Sequence, residues 1–187
     1  MNVAVQRRMN LQEFLDWASA QPKGRYELVD GQVVAMSPER ALHIVVKVAV
    51  ARLLQDAIAE TGLPCVVFGD GLTIKIDENT AREPDALVQC GRPFDPETMI
   101  ADAPMIVAEI VSPSSMQIDN VDKLAEYFSL PTIMHYLVVN PTARTVTHHA
   151  RAQEGKILTQ ILRSGAVELS PPGIAISVSA IFESIPS

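Results

Sequence analysis

Apolar residues recur along the chain with two periods, and each period predicts a type of element. A period of three to four predicts helices over residues 11–20, over residues 39–60 and from Asp119 onward. Asn10 is placed to cap the first helix, and Ser37-Pro38 to cap the second. Alternating or wholly apolar runs predict strands at residues 26–29, 32–36, 65–76 (one strand or two), 85–90, 105–111 and 134–139.

Turn residues join these elements and set their order. Asp30-Gly31 between two β-prone runs predicts a hairpin. Residues 145–149, 157–162 and 167–169 suggest an antiparallel meander, and Ser179 is placed to cap a final turn at residues 180–183. We expect one domain over residues 1–187, an α/β fold of the α+β type with a mixed central sheet between its main helices.

Composition excludes several classes of protein. Of 187 residues, 48% are hydrophobic and 20% charged, which is typical of a globular chain. The net charge of −7 argues against a broadly basic surface but not against a local basic cleft. Charges interrupt the most apolar helix, and no signal peptide is recognisable, so we expect no membrane span and a cytoplasmic location.

The chain has two cysteines, Cys65 and Cys90, beside predicted strands. Two cysteines form neither a disulfide framework nor a zinc-binding spacing. We therefore expect buried, reduced thiols.

Two acids interrupt or begin apolar runs that predict buried strands. Glu109 lies within the run at residues 105–111, where an unpaired carboxylate would cost several kcal/mol. Asp85 follows Pro84 and opens the next candidate strand, although Pro-Asp is also common in turns. Acids on adjacent strands can converge on one divalent cation.

The helix that begins at Asp119 supplies a cation. Its spacing predicts a buried face of Val121, Leu124, Ala125 and Phe128, and a second face of Asp119, Lys123, Glu126 and Tyr127. Lys123 is therefore not expected to fill the core. The alternative is an ordinary exposed bridge between Asp119 and Lys123, one turn apart.

A family resemblance joins these fragments. The motifs that carry it run in order: Tyr26-Glu27-Leu28-Val29-Asp30-Gly31, Met36-Ser37-Pro38, His43, Pro84-Asp85, Glu109-Ile110-Val111-Ser112-Pro113-Ser114, and Asp119 with Lys123 and Tyr127. Together they resemble the Uma-type restriction endonuclease family of the PD-(D/E)xK nuclease superfamily, over residues 11–140. The resemblance implies a restriction-endonuclease-like core and magnesium-dependent cleavage of nucleic acid.

The resemblance also implies roles for single residues. Asp85 and Glu109 would be metal ligands, with the backbone carbonyl of Ile110 as a third, and Glu27 an upstream acid. The superfamily lysine is expected two residues after Glu109, where this chain has Val111. Lys123 would replace it from the next helix.

Several neighbouring residues have open alternatives. Glu27 is either a site residue or a surface pair beside the hairpin. His43 and Lys47 are either surface residues or contacts to phosphate or to a metal-binding side chain, and Asp119 and Tyr127 are placed for similar support. His135 is expected in the core, and His148 and His149 on opposite faces of a strand.

The function we predict is that of an endonuclease for DNA that uses Mg²⁺, with Mn²⁺ as a substitute. The alternative is a catalytically silent module of the same fold that binds nucleic acid or protein, and Val111 and the acidic charge favour it. A purely structural interaction domain is a third option. Because cutting both strands usually needs two active sites, we expect a homodimer or higher oligomer.

Overall fold

A computed structural model describes residues 8–111 and 119–185 of the chain. Within them the α-helices are α1 (Leu11–Ser19), α2 (Ala41–Thr61), α3 (Asp119–Ser129) and α4 (Val178–Ile181). The strands are β1 (Tyr26–Val29), β2 (Gln32–Ala35), β3 (Cys65–Phe68), β4 (Ile74–Lys75), β5 (Ala81–Arg82), β6 (Ala86–Cys90), β7 (Pro104–Ile110), β8 (His135–Asn140), β9 (Thr145–Arg151), β10 (Ile157–Leu162), β11 (Ala166–Leu169) and β12 (Ile174–Ser177). No helix in these ranges is long and apolar enough to cross a membrane.

The central sheet has six strands in the order β10-β9-β8-β7-β6-β3. β7 and β8 run parallel, and every other neighbouring pair is antiparallel. A parallel pair needs a crossover connection, and α3 lies in the segment between β7 and β8. The mixed α+β architecture predicted from the sequence is confirmed.

Alternation along the strands divides the apolar side chains between two cores. Residues such as Val88 and Ile106 pack with Val46 and Leu54 of α2. Their neighbours, such as Val107, pack on the other side of the sheet with aromatic residues of α3. The sheet therefore lies between α2 and α3.

The N-terminal elements follow the sequence pattern closely. Asn10 caps α1 and forms a capping box with Glu13. β1 and β2 pair across Asp30-Gly31, whose φ angles of 49° and 77° are those of a tight hairpin turn. This hairpin belongs to a four-stranded sheet, β2-β1-β5-β4, against which α1 packs.

The long helix α2 differs from its prediction at its start and in its buried face. It begins at Ala41 after Arg40, which makes no side-chain cap, so Ser37-Pro38 does not cap it. Leu42 is 38% exposed, whereas Val46, Val50 and Leu54 are fully buried. The apolar spacing predicts a buried stripe of Leu42, Val46, Ala49, Leu53 and Ala57; Val46, Ala49 and Ala57 are buried as expected, Leu53 is half-buried and Leu42 is exposed.

The C-terminal segment forms only part of the predicted meander. β9 and β10 extend the central sheet, but β11 pairs with β12 in a separate ribbon. Val167, Leu169, Ile174 and Ile176 are buried in the core that α2 covers, which draws this ribbon away from the sheet edge. The final helix is capped by Ser177, not Ser179, because the Ser177 hydroxyl accepts from the Ala180 amide.

The expectation of reduced cysteines is wrong. Cys65 on β3 lies directly opposite Cys90 on β6, and the two form a disulfide. Strand register brings them together across 25 residues of sequence, a proximity that spacing alone does not reveal.

Candidate active site

Asp85 and Glu109 lie beside each other at the end of two adjacent strands. The β6–β7 register pairs Ala86 with Ala108, so the preceding and following residues, Asp85 and Glu109, face each other. The Ile110 amide donates to Asp85 Oδ2 at 2.7 Å. The two acids are 4% and 8% exposed, so the pair is held in a buried, fixed position.

Glu109 is enclosed by two donors from α3. Lys123 Nζ donates to Glu109 Oε1 at 3.0 Å, and the Tyr127 hydroxyl donates to the same oxygen at 2.7 Å. Burial raises the pKa of Glu109 to about 7, and the charges of Asp85 and Glu27 add to the rise. Lys123 and the Tyr127 hydroxyl act in the opposite direction because they favour the ionised carboxylate.

Lys123 belongs to the buried face of α3, which corrects the predicted helix phase. Lys123 is 7% exposed and Tyr127 fully buried, whereas Val121 is 69% exposed and Ala125 is also exposed. The helix turns its lysine toward the sheet because Glu109 lies there. Asp119 begins α3, but its side chain is outside the described residues, as are residues 112–118.

Glu27 is a buried member of this cluster, so the surface-pair interpretation is wrong. Its carboxylate accepts from Arg82 Nη1 at 3.0 Å and from the Glu83 amide at 3.2 Å, and it lies 3.5 Å from Lys123 Nζ. Arg82 also donates twice to Glu126, at 2.7 and 2.8 Å. Glu27 thus connects the hairpin to α3.

Asp85 faces a second group of charges, from α2. His43 Nε2 lies 3.1 Å from Asp85 Oδ2, and Lys47 Nζ lies 3.4 Å from Oδ1. Burial opposes ionisation of Asp85, but the hydrogen bonds from His43 and the Ile110 amide outweigh it and lower its pKa. Lys47 is only 7% exposed, so it is not a solvated surface lysine.

An outer ring of charges was not predicted from the sequence. Lys47 also donates to Glu39 and to Asp70, and Arg25 pairs with Glu39, Asp70 and Glu83 at 2.6 to 2.8 Å. The flanking residues Gly69 and Gly71 mark Asp70 as part of a turn, whereas nothing in the sequence marks Glu39 as a site residue. This ring fixes Lys47 against Asp85.

The family model described as "Putative restriction endonuclease", Uma2, matches residues 11–180. The chain belongs to the Uma2 family. The sequence resemblance is thereby confirmed, and it extends beyond the residues that first suggested it.

Relatives of this Uma2 chain cover nearly its whole length. The uncharacterized protein slr1290 of Synechocystis sp. is 26% identical over 181 residues, 95% of this chain and 93% of that protein. The uncharacterized protein sll1609 of the same organism is 24% identical over 169 residues, 89% of this chain and 94% of that protein.

A solved structure shows the same fold. It is titled a putative nuclease belonging to DUF820 from Anabaena variabilis, and it superposes with a TM-score of 0.74 at 16% identity. The match covers 94% of this chain and 98% of the other. The restriction-endonuclease-like architecture expected for a Uma2 protein is confirmed at the level of fold.

Two donor sets in this Uma2 site suit a divalent cation. Asp85 and Glu109, which stand opposite each other in the β6–β7 register, both offer carboxylate oxygens, the ligands that Mg²⁺ prefers. Among the described residues, Glu39, His43 and Asp85 also offer donor atoms within 4.8 Å of one another. This second set contains an imidazole nitrogen, a ligand more typical of transition-metal ions than of Mg²⁺. Asp85 belongs to both sets, so the residues present fit a metal ion.

Proposed function

We propose that this Uma2 protein is a metal-dependent endonuclease that hydrolyses phosphodiester bonds in DNA. The observation that supports it best is the placement of Asp85 beside Glu109, with Lys123 of α3 3.0 Å from Glu109. Two acids and a lysine converging at a strand end are the constellation that the family resemblance implies. The membership of a family described as "Putative restriction endonuclease" supports the same reaction class.

Asp85 and Glu109 would hold the metal ion, with the Ile110 carbonyl as a further ligand. Mg²⁺ is the expected ion and Mn²⁺ a substitute. When bound, such an ion lowers the pKa of a coordinated water and neutralises charge on the phosphoryl oxygens. The Ile110 amide fixes Asp85 Oδ2, and Asp85 Oδ1 faces His43 and Lys47.

The chain's own cations have separate tasks in this proposal. Lys123 favours the ionised form of Glu109 and orients the attacking water, in place of the lysine that Val111 replaces. Val111 itself is buried in the core beneath α3 and supplies no charge. His43 and Lys47 hold Asp85 ionised and are placed to contact the phosphate. Glu27 positions Lys123 from the hairpin side, and Tyr127 does so through Glu109.

One observation favours a second candidate function, a catalytically silent module that binds nucleic acid or protein. Each acid of the centre already has a partner from within the chain: Lys47 and the His43 imidazole at Asp85, and Lys123 at Glu109. Such pairs also stabilise a fold with no catalytic task. Both candidate functions are compatible with this structure, and only a cleavage assay distinguishes the silent module from the enzyme.

Cleavage of both DNA strands calls for two active sites, so we propose that the protein acts as a homodimer.

The test is cleavage of plasmid and single-stranded DNA during titration with Mg²⁺ and Mn²⁺. We expect metal-dependent cutting by the wild type and at least a hundredfold loss in Asp85→Asn and Lys123→Met. Asp56→Asn, an exposed acid on α2, is the matched control and should retain activity. Calorimetry of metal binding accompanies each assay.

Three outcomes are decisive. Metal-dependent cleavage that Asp85→Asn abolishes supports the enzyme. Metal binding without cleavage of any substrate supports the silent module. Unchanged metal affinity in Asp85→Asn would remove this site from consideration.

A further inference from the structure

The end strand of the central sheet has an uncovered, apolar edge. β10 pairs with β9 along one side, and no described strand pairs with its other side. Ile157, Leu158 and Ile161 are 39%, 56% and 68% exposed. Because neighbouring residues on a strand point to opposite faces, both faces of β10 are open.

This edge lacks the devices that usually prevent strand pairing. Proteins protect an edge with a charge, a proline, a bulge or a very short strand. The sequence of β10 is ILTQIL, with no charge and no proline. Its register with β9 is unbroken from Ile157 opposite Arg151 to Leu162 opposite Val146, so it contains no bulge. The strand is a regular template for another strand.

We propose that β10 pairs in antiparallel fashion with β10 of a second copy of this chain, with Thr159 on the twofold axis. The partner is a second copy because the strand is complementary to itself. A twofold axis perpendicular to the sheet does not exchange its two faces. Residues opposite each other must therefore point to the same face, so their residue numbers are both odd or both even. Centring on Thr159 places Ile157 opposite Ile161 of the second copy, Thr159 opposite Thr159, and Leu158 opposite Gln160.

Cross-strand aliphatic and Thr–Thr pairs are favourable contacts in sheets. The register shifted by one residue, centred on Gln160, would instead place Ile157 opposite Arg163. The sequence thus favours the register centred on Thr159 over the one centred on Gln160.

The charges at the two strand ends are compatible with this register. Glu154, which bonds Lys156 at 2.7 Å, lies before β10, and Arg163 follows it. Antiparallel pairing brings Arg163 of each copy opposite Gly155 of the other, beside Glu154. Lys156 faces Leu162, so no two like charges stand directly opposite each other.

The contact is small, and this sets its strength. Six residues from each copy are fewer than the 20–30 residues a side of a standard interface. We therefore expect a reversible dimer with a dissociation constant on the order of 10 µM, in which the two central sheets become continuous.

The test is sedimentation velocity of the full chain across concentrations, without DNA or metal. We expect the wild type to shift from monomer to dimer. Ile161→Lys places charges in the new pair, and Gln160→Pro interrupts the strand, so each should weaken dimerisation at least tenfold. Val48→Lys, which replaces a 61% exposed apolar residue on α2, is the matched control and should dimerise like the wild type. Circular dichroism checks that each variant is folded.

Thr159→Cys tests the register. Because the two native cysteines are joined to each other, the introduced thiol would have no disulfide partner within its own chain, and mild oxidation should give a covalent dimer. Gln160→Cys, at a position that faces Leu158 in the proposed register, should cross-link at least tenfold more slowly.

A wild type that stays monomeric at about 1 mM, or a dimer lost in Val48→Lys and kept in Ile161→Lys, would overturn the proposal. Equal cross-linking at residues 159 and 160 would overturn the register. Neither the sedimentation nor the cross-linking experiment uses DNA or metal. A failure of the dimer proposal is therefore distinguishable from a failure of the nuclease proposal.

Discussion

Replacing Lys123 by methionine removes a buried cation from the ionised Glu109. Methionine has nearly the length of lysine and leaves the packing of α3 largely intact. Glu109, 8% exposed, would keep the Tyr127 hydroxyl but would lie beside Asp85 and Glu27 without its counter-charge. Removal of one partner from a buried ion pair costs about 3–5 kcal/mol. We expect that loss in the free energy of unfolding at pH 8.5.

The loss in the free energy of unfolding depends on pH, and the direction of that dependence follows from the Glu109 pKa. That pKa is raised to about 7 in the folded protein from an ordinary value of 4.5. A carboxyl with a raised folded pKa binds more protons when folded, so its contribution to stability grows as pH falls from 7 to 4.5. Without Lys123 the pKa rises further, so at pH 5 Glu109 is neutral in the variant. The loss should then shrink to about 1–2 kcal/mol, which comes mainly from the pairing with Glu27.

Urea unfolding followed by circular dichroism at pH 5 and pH 8.5 measures both values. Lys75→Met is the control: Lys75 pairs with Glu78 at the surface, with 40% and 75% of their side chains exposed, so the loss should stay below about 1 kcal/mol at both pH values. Adding Glu109→Gln to Lys123→Met should restore stability at pH 8.5. A loss for Lys123→Met below about 1 kcal/mol, or equal at both pH values, would refute the buried pair.

Three further substitutions test other parts of the structure. The Nε2–H of His135 donates to the Pro171 carbonyl, so its Nδ1 accepts from His148, whose pKa burial lowers to about 4. A histidine with a lowered folded pKa stabilises the fold above pH 6.5, and this stabilisation is lost as pH falls toward 4. The difference in unfolding free energy between the wild type and His148→Gln, measured by urea unfolding, should therefore drop by about 1–2 kcal/mol from pH 7 to pH 5, after allowance for solvent screening. Parallel pH curves for the two proteins would contradict this. Gly31→Ala should cost about 1–2 kcal/mol in thermal unfolding, because its φ is 77° and an added Cβ would lie 3.1–3.2 Å from neighbouring atoms; no change would exclude strain there. Leu54→Ala should cost about 2–5 kcal/mol in urea because Leu54 is fully buried, and a loss below about 1 kcal/mol would mean that the core relaxes around the site.

Local sequence signals predicted the elements that depend on local physics. The helix cap at Asn10 and the Asp30-Gly31 turn are encoded within four residues, and both form as predicted. The buried acids were also recognisable, since Glu109 stood alone in an apolar run. What identified them was the conflict between a charge and its surroundings.

Pairings between distant residues were not recognisable in the same way. Arg25 contacts Glu83 across 58 residues, and a single chain carries no signal for such a pair. The phase of α3 was predicted from the apolar residues alone, but the helix also makes buried polar contacts through Lys123 and Tyr127. Lys123 and Tyr127 turn inward because they donate hydrogen bonds to the buried Glu109. A pattern of apolar residues carries no information about such polar contacts.

The position of the lysine shows why a motif at a fixed spacing is an incomplete guide to this site. Residue 111 lies on the same face of the strand as Glu109, two residues on, and Val111 is packed there beneath the aromatic residues of α3. A lysine at 111 and a lysine at 123 would approach the same carboxylate from two sides, one from the strand and one from the helix. The constraint is the distance from an ammonium group to Glu109, which is 3.0 Å here. In this chain the helix supplies the charge beside Glu109, and the strand position is occupied by a valine that packs in the core.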